Sequence, residues 1–301
     1  MNLVRRDRLD ADDVAAVTEL VDEVTAADGV RPLSEHVMLH LRHGGDAPAH
    51  NFLLYDDDNA LVGYAHLDAT DAVEGASGEL AVRPTARRHG YGRVLVDALA
   101  ADIAPQTRLR LWSHGSRAGA SQLARSMGFK RERVLWQMRR SLFAPVPEPQ
   151  WPPDVTVRTF VVGQDEQAWL EVNNRAFANL PDQGSWTIDD LRMRENEPWF
   201  DPAGFFMAEQ HGRLVGFHWT KVHGHHEEHE PIGEVYVVGV DPSMQGQKLG
   251  PALTLRGLQY LRARGLSQVM LYVDEKNTNA IRTYERLGFA KWDVDVCFLQ
   301  Q

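Results

Sequence analysis

The sequence of 301 residues predicts an α/β (α+β) chain made of two tandem copies of one domain, each a mixed sheet flanked by helices. Three observations predict it. Residues 82–92 read VRPTARRHGYG and residues 240–250 read VDPSMQGQKLG, each after an apolar strand-like run and before a helix-like stretch. Val82 and Val240 stand 158 positions apart, as do Pro84 and Pro242, and Gly92 and Gly250; Gly128-Phe129 matches Gly288-Phe289 at 160. Between the copies, residues 141–154 (SLFAPVPEPQWPPD) hold five prolines and no helical or alternating pattern, which reads as a semi-rigid linker. The expected domains are therefore 1–140 and 155–301.

Alternating apolar runs read as strands and stretches of period 3.6 as helices. The first copy gives a strand over Leu3–Arg8, a helix from Ala11 to Ala27, a helix near Ser34–Arg42, and strands at Asn51–Tyr55 and Leu61–Leu67. A strand at Glu79–Val82 leads to a helix after Gly92, a strand at Arg108–Trp112, a helix near Ala118–Met127 and a strand at Arg133–Met138. The second copy repeats the order: a strand from Val155, helices near Glu166–Phe177 and Ile188–Glu195, and strands at Gly204–Ala208 and Leu214–Thr220. It closes with strand Val235–Val240, helix Gly250–Arg264, strand Val269–Val273, helix Asn279–Leu287 and strand Trp292–Phe298.

Composition narrows the function classes. A formal net charge of −10 argues against a nucleic-acid partner, whose footprint is a basic stripe. No apolar stretch approaches the ~20 residues that span a bilayer. The N-terminus MNLVRRDRLD lacks the apolar core of a signal peptide. The single cysteine, Cys297, excludes an intrachain disulfide and reads as a buried structural thiol. A cytoplasmic monomer that touches neither membrane nor nucleic acid is expected.

Strand, small-residue turn and helix N-terminus form a device for holding a phosphate, because turn N–H groups and the positive end of the helix dipole meet the anion. Around the first turn the expected binding residues are Leu80, Ala81, Val82, Arg87, Arg88, His89, Gly90, Tyr91 and Gly92. Around the second they are Val238, Gly239, Val240, Gln245, Gly246, Gln247, Lys248, Leu249, Gly250 and Pro251.

This arrangement resembles the GNAT superfamily of acetyl-CoA-dependent N-acetyltransferases. Its hallmark Arg/Gln-x-x-Gly-x-Gly/Ala is matched in full by Arg87-Arg-His-Gly90-Tyr-Gly92, and by Gln245-Gly-Gln-Lys248-Leu-Gly250 except that a lysine replaces the middle glycine. Asn277-Thr-Asn-Ala-Ile-Arg-Thr-Tyr284-Glu-Arg-Leu-Gly-Phe289 is similar to the superfamily's second signature. With GEVYVVGVDP, FHWTKVH and EPWFDPAGF, the whole chain resembles, more narrowly, the mycothiol synthase family of tandem GNAT proteins. The resemblance implies mostly antiparallel, twisted sheets and acetyl-CoA as co-substrate without a metal. The implied acceptor is the cysteinyl amine of cysteinyl-glucosaminyl-inositol, 1D-myo-inositol 2-(L-cysteinylamino)-2-deoxy-α-D-glucopyranoside, acetylated in the last step to mycothiol.

N-acetylation needs a base for the amine, polarisation of the acetyl carbonyl and a proton for the leaving thiolate. An α-amino group with a pKa of ~8 needs no stronger base than a carboxylate acting through water. The oxyanion is met by a backbone N–H of the fourth strand. By resemblance the base is Glu234, on a face expected to carry Tyr236, Val238 and Val240, and the acid is Tyr284. Asn277, Asn279 and Arg282 join the cofactor residues. Subtracting 160 turns Tyr284 into Ala124 and Asn277 into Arg117, while Glu79 aligns with Val237 and not Glu234. The second copy is thus expected to be catalytic, and the first to bind CoA or serve structure. Resemblance places the acceptor between the halves, on Glu35, Asp182, Lys221, Glu234 and Tyr272.

The run HGHHEEHE (223–230) packs four histidines and three glutamates into eight positions. They are contiguous in a hairpin loop and not spaced on a scaffold, so no metal is expected. Alternatives are a tandem GNAT enzyme for another amine, an aminoglycoside or peptide N-terminus, or a non-catalytic acyl-CoA sensor. A sensor needs neither Glu234 nor Tyr284.

Overall fold

The computed structural model describes residues 1–43, 49–70, 75–104, 107–178, 184, 186–224 and 230–301. They divide into two compact units, Met1–Leu135 with Asp293–Gln301, and Trp136–Trp292.

In the first unit the chain runs β1 (Asn2–Arg6), α1 (Ala11–Asp28), α2 (Glu35–His43), β2 (Ala49–Tyr55), β3 (Leu61–Asp68), β4 (Ala76–Val82), α3 (Tyr91–Asp102), β5 (Leu109–Ser113) and α4 (Ala118–Ser126). The Asp10 side chain caps α1 by accepting from Asp13 N, and Gly29 ends it in the left-handed region at φ +69°. Val17, Leu20, Val21 and Val24 recur at helical spacing and bury against Leu53 and Tyr64. Strand alternation sends Phe52 and Leu54 to the opposite face, where α3 lays Leu95, Val96 and Leu99 over them. Each fully buried leucine there stabilises the unit by about 1.5–3 kcal/mol.

The second unit repeats the plan with β7 (Val155–Thr159), α5 (Glu166–Ala176), α6 (Ile188–Glu195), β8 (Phe205–Gln210), β9 (Arg213–His223), β10 (Ile232–Val240), α7 (Leu249–Ala263), β11 (Gln268–Asp274) and α8 (Thr278–Arg286). Trp169 of α5 packs with Phe205, Phe217 and Trp219 on one face; Leu258 and Leu261 of α7 pack with Val235 and Val269 on the other. In each unit the first four strands pair antiparallel in sequence order, and the fourth pairs parallel with the fifth.

The joint differs from expectation. β6 (Phe129–Ser141) and β12 (Ala290–Gln300) are each divided, their first parts falling in one unit and their last parts in the other. The end of β12 belongs to the first unit because Val296–Leu299 pair antiparallel with Ser113–Arg110 of β5. The proline-rich stretch lies within the second unit and is packed there: Leu142 is buried, its N–H donates to Ser267 O at 2.8 Å, and Arg140 donates to Pro145 O at 2.7 Å. Its apolar anchors override the linker-like composition. No described helix is long and apolar enough to cross a membrane.

Candidate active site

The two phosphate turns share one backbone. In the first, Arg88 (φ +68°) and Gly90 (φ +89°) are left-handed; in the second, Gly246 (φ +80°) and Lys248 (φ +63°) are. Each turn therefore demands two left-handed residues two positions apart and supplies one glycine for them. A Cβ at Gly90 or Gly246 would meet nothing within 4 Å, so these glycines serve the dihedral and not a close approach. Lys248 is less a defect than a trade of positions, and the first turn, which matches the hallmark in full, carries the same strain at Arg88. Arg87 is committed elsewhere: its guanidinium donates in bidentate fashion to Asp28 at 2.8 and 2.9 Å. In the second unit Asp241 anchors the turn, accepting from Ser243 N and Oγ and from Arg175 Nε. Burial alone would raise the Asp241 carboxyl, but these donors outweigh it and hold it down to about 2. Leu249, Gly250 and Pro251 form the first turn of α7, where a proline's missing N–H costs nothing.

Beside each turn two parallel strands part. β4 and β5 pair only from Ala76↔Leu109 to Gly78↔Leu111, and β10 and β11 only at Gly233↔Val269 and Glu234↔Met270. Beyond these pairs Leu80–Val82 and Val238–Val240 run along an opened wedge. In the first unit the wedge is a cavity of about 540 Å³, lined by Leu80, Ala81, Val82, Arg87, Arg88, Gly90, Tyr91 and Gly92 among others, and it reaches Ala124.

Only β10 is bulged. Its ladder with β9 passes from Val235↔Thr220 to Val237↔Trp219, leaving Tyr236 as the extra residue, whereas β3 and β4 pair without a shift. The bulge corrects the expected face. Tyr236 and Val237 pack with Trp219, while Val235, Val238 and Val240 turn to the α7 side. Glu234 stands opposite Lys221, on the Trp219 face. Counting through the register, the first copy has Ser77 opposite Asp68 at this place, and Glu79 does align with Val237.

Glu234 is 7% exposed, so it is no exposed strand end, and its Oε2 accepts from His223 Nε2 at 2.7 Å. Lys221, also buried, holds its Nζ 4.3 Å from the Trp199 ring centroid and 5.2 Å from that of Tyr236. Arg194 stacks on Trp186 and donates to the Tyr236 hydroxyl at 2.8 Å, pinning the bulged residue. Tyr284 lies half-buried on α8 with its ring 5.8 Å from Phe289, and burial pushes its hydroxyl up to about 12, which keeps it protonated. Asn277 caps α8 by accepting from Ala280 N at 3.1 Å; Asn279 and Arg282 are exposed on that helix. Arg117, in the place of Asn277, gives α4 no side-chain cap.

Glu35 opens α2 in the first unit, while Lys221, Glu234 and Tyr272 belong to the second; Tyr272 is partly exposed and accepts from Gln137 Nε2 at 2.8 Å. Asp182 and residues 225–229 of the histidine-rich run lie outside the described residues. His89 is exposed, its Nδ1 3.2 Å from Ala86 O. Glu79 is buried in the first unit, where it accepts from Ser34 N and from His114 Nε2 at 3.3 Å, and His114 Nδ1 donates to Asp295.

Sequence reasoning missed His223, Tyr236 and Arg194. The bulge had one trace in the sequence: Ala76 and Gly233 are 157 positions apart, against 158 for Val82 and Val240. His223 opens the histidine-rich run singled out in the sequence, but nothing local tied it to Glu234 or marked Arg194.

Known proteins share this sequence and this fold. Residues 48–131 match the model of the acetyltransferase (GNAT) domain, and residues 167–289 that of the acetyltransferase (GNAT) family. The mycothiol acetyltransferase of Streptosporangium roseum is 54% identical over 97% of each chain; that of Acidothermus cellulolyticus is 56% identical over 94% of this chain and 89% of its own. Among solved structures, a GCN5-related N-acetyltransferase from Sphaerobacter thermophilus is 26% identical with a TM-score of 0.71, covering 99% of this chain and 95% of its own. A tandem GNAT protein from the clavulanic acid biosynthesis pathway shares the fold at 20% identity, with a TM-score of 0.75 over 99% and 97% of the two chains. The two copies, their opened wedges and these relatives lead to one conclusion: the chain belongs to the mycothiol acetyltransferase family, a tandem branch of the GNAT acetyltransferases.

Proposed function

We propose that the chain transfers acetyl from acetyl-CoA to the cysteinyl amine of cysteinyl-glucosaminyl-inositol, the last step to mycothiol, and that the second copy does the chemistry. The observation that carries the division of labour is the buried Glu234 beside the bulge, with Tyr284 on the helix after the next strand. The first copy has Ser77 and Ala124 in those places. Relatives more than half identical are named for this acetylation, which supports the acceptor.

Acetyl-CoA supplies the activated acetyl group. The residues fit it: the turn Gln245–Lys248 and the first N–H groups of α7 would hold the pyrophosphate, and the wedge along Val238–Val240 would take the extended arm. Glu234 takes the ammonium proton, directly or through water, and releases the amine as a nucleophile. The bulge interrupts the β9–β10 ladder at Tyr236, and a backbone N–H of β10 there would meet the carbonyl oxygen. Tyr284, kept protonated by burial, gives its proton to the departing sulfur. Lys221 stays over its aromatic rings and offers fixed positive charge beside Glu234.

The first copy keeps the wedge and the turn without base or acid. We read it as a domain that holds CoA or shapes the fold. Incubation with acetyl-CoA and the cysteinyl amine, read by mass spectrometry, tests the assignment. Acetylated product is expected; acetylation of other amines but not of this one would reject it.

A further inference from the structure

The histidine-rich run found in the sequence begins at His223, and that residue is the last of β9. Lys221 and His223 alternate to the same face of β9, and Glu234 stands opposite Lys221 on that face. His223 Nε2 donates to Glu234 Oε2 at 2.7 Å. The carboxylate side chain is 10% exposed and the imidazole 31%, so the ring reaches inward from solvent to fix one oxygen and leave the other. Lys221 is turned to Trp199 and Tyr236. The two residues of the pair have also diverged together. In the first copy the register places Ser77 where Glu234 stands, and Thr70 two residues beyond Asp68, where His223 stands. There the Thr70 hydroxyl donates to Asp68 and has no carboxylate to orient on β4.

We propose that His223 is a positioning residue for acetyl transfer: it locks the Glu234 carboxylate in one orientation, with Oε1 presented to the acceptor amine. The inference rests on the reading of Glu234 as the base. A glutamate left to choose among its rotamers loses side-chain entropy on ordering, and a hydrogen bond made beforehand removes much of that cost from the reacting complex. Misplacing a reacting group by an ångström costs on the order of 100-fold in rate.

The test compares His223→Ala, which removes the donor, with His223→Gln, which keeps an N–H donor near the place of Nε2. Both are made in the full chain, with Glu234→Gln and the double variant Glu234→Gln/His223→Ala alongside. Steady-state rates are measured with acetyl-CoA and the cysteinyl amine, varying each in turn, and thermal midpoints verify folding. Expected is a kcat about 10- to 100-fold lower for His223→Ala, an unchanged KM for acetyl-CoA, and recovery to within about threefold in His223→Gln. In the Glu234→Gln background, His223→Ala costs nothing further, because there is no base left to orient. A His223→Ala variant within twofold of the parent, or a His223→Gln variant as impaired as His223→Ala, overturns the proposal while leaving Glu234 as the base. Full turnover in Glu234→Gln overturns the reading of the base itself, and this proposal with it.

Discussion

Asp295, close to the end of the sequence, accepts a hydrogen bond at 2.9 Å from Nδ1 of His114, 181 positions earlier. The same ring donates from Nε2 to Glu79, so one imidazole lies between two buried carboxylates. Burial alone would pull the His114 pKa down, but the Glu79 charge and the hydrogen bonds to Asp295 and Glu79 push it up to about 10.

The first prediction follows from that sign. A histidine whose folded pKa lies above its unfolded value of about 6.5 stabilises the fold fully below that pH and loses the contribution as pH rises toward 10. The thermal midpoint of the first unit should therefore fall between pH 7 and 10. At pH 7, His114→Asn should cost about 3–5 kcal/mol, since it strips the cation from two buried carboxylates, and its midpoint should show little further alkaline slope. Scanning calorimetry across pH decides; parallel slopes in both proteins would place the alkaline loss elsewhere.

The second prediction concerns the carboxylates. Glu234→Gln should lower kcat by about 10²–10⁴-fold, the span of a lost general base. Glu79→Gln, two strand positions beyond Ser77, the counterpart of Glu234, should leave kcat within a few-fold and lower stability instead. Steady-state kinetics and thermal melts on both variants check this. Comparable losses of turnover would end the division of labour between the copies.

Tyr284→Phe keeps the ring against Phe289 and removes only the proton. Turnover should drop by about 10- to 100-fold with little change in stability or in the KM for acetyl-CoA. Because burial pushes the hydroxyl up to about 12, the parent enzyme should show no alkaline loss of kcat from this group below about pH 11. A Tyr284→Phe enzyme with parental kcat would assign the proton to another donor.

A left-handed residue with a side chain costs about 1–2 kcal/mol against glycine. Lys248→Gly and Arg88→Gly should each raise stability by about 1 kcal/mol, seen as a higher thermal midpoint. Since the backbone already holds the shape of the turn, calorimetry should find CoA binding to Lys248→Gly within about threefold of the parent. Tenfold weaker binding would give the lysine's charge a direct part in holding phosphate.

The helices lie close to where the sequence predicts them, and cap residues fix their ends: Thr187 and Asp190 close a capping box before Ile188–Glu195, and Asp10 and Gly29 bound Ala11–Asp28. The wedge residues followed from the turn and its strand, which are local. What the sequence did not disclose lies in pairing between distant segments. The bulge at Tyr236 exists only relative to β9, and it moved Val238 and Val240 off the face of Glu234. His223 reaches Glu234 across the β9–β10 ladder, and the end of β12 is drawn to β5 by contacts 180 or more positions apart. A period of two or 3.6 carries no information about such partners.

The pairing of Val296–Leu299 with β5 has a consequence for synthesis. Domains generally fold in the order in which they leave the ribosome. Here the unit that begins to emerge first also needs residues 293–301, made after the whole of the second unit, which bring the strand beside β5 and the partner of His114. A nascent chain stopped at Trp292 would hold every residue of the second unit, and the copy translated earliest would be the one left unfinished.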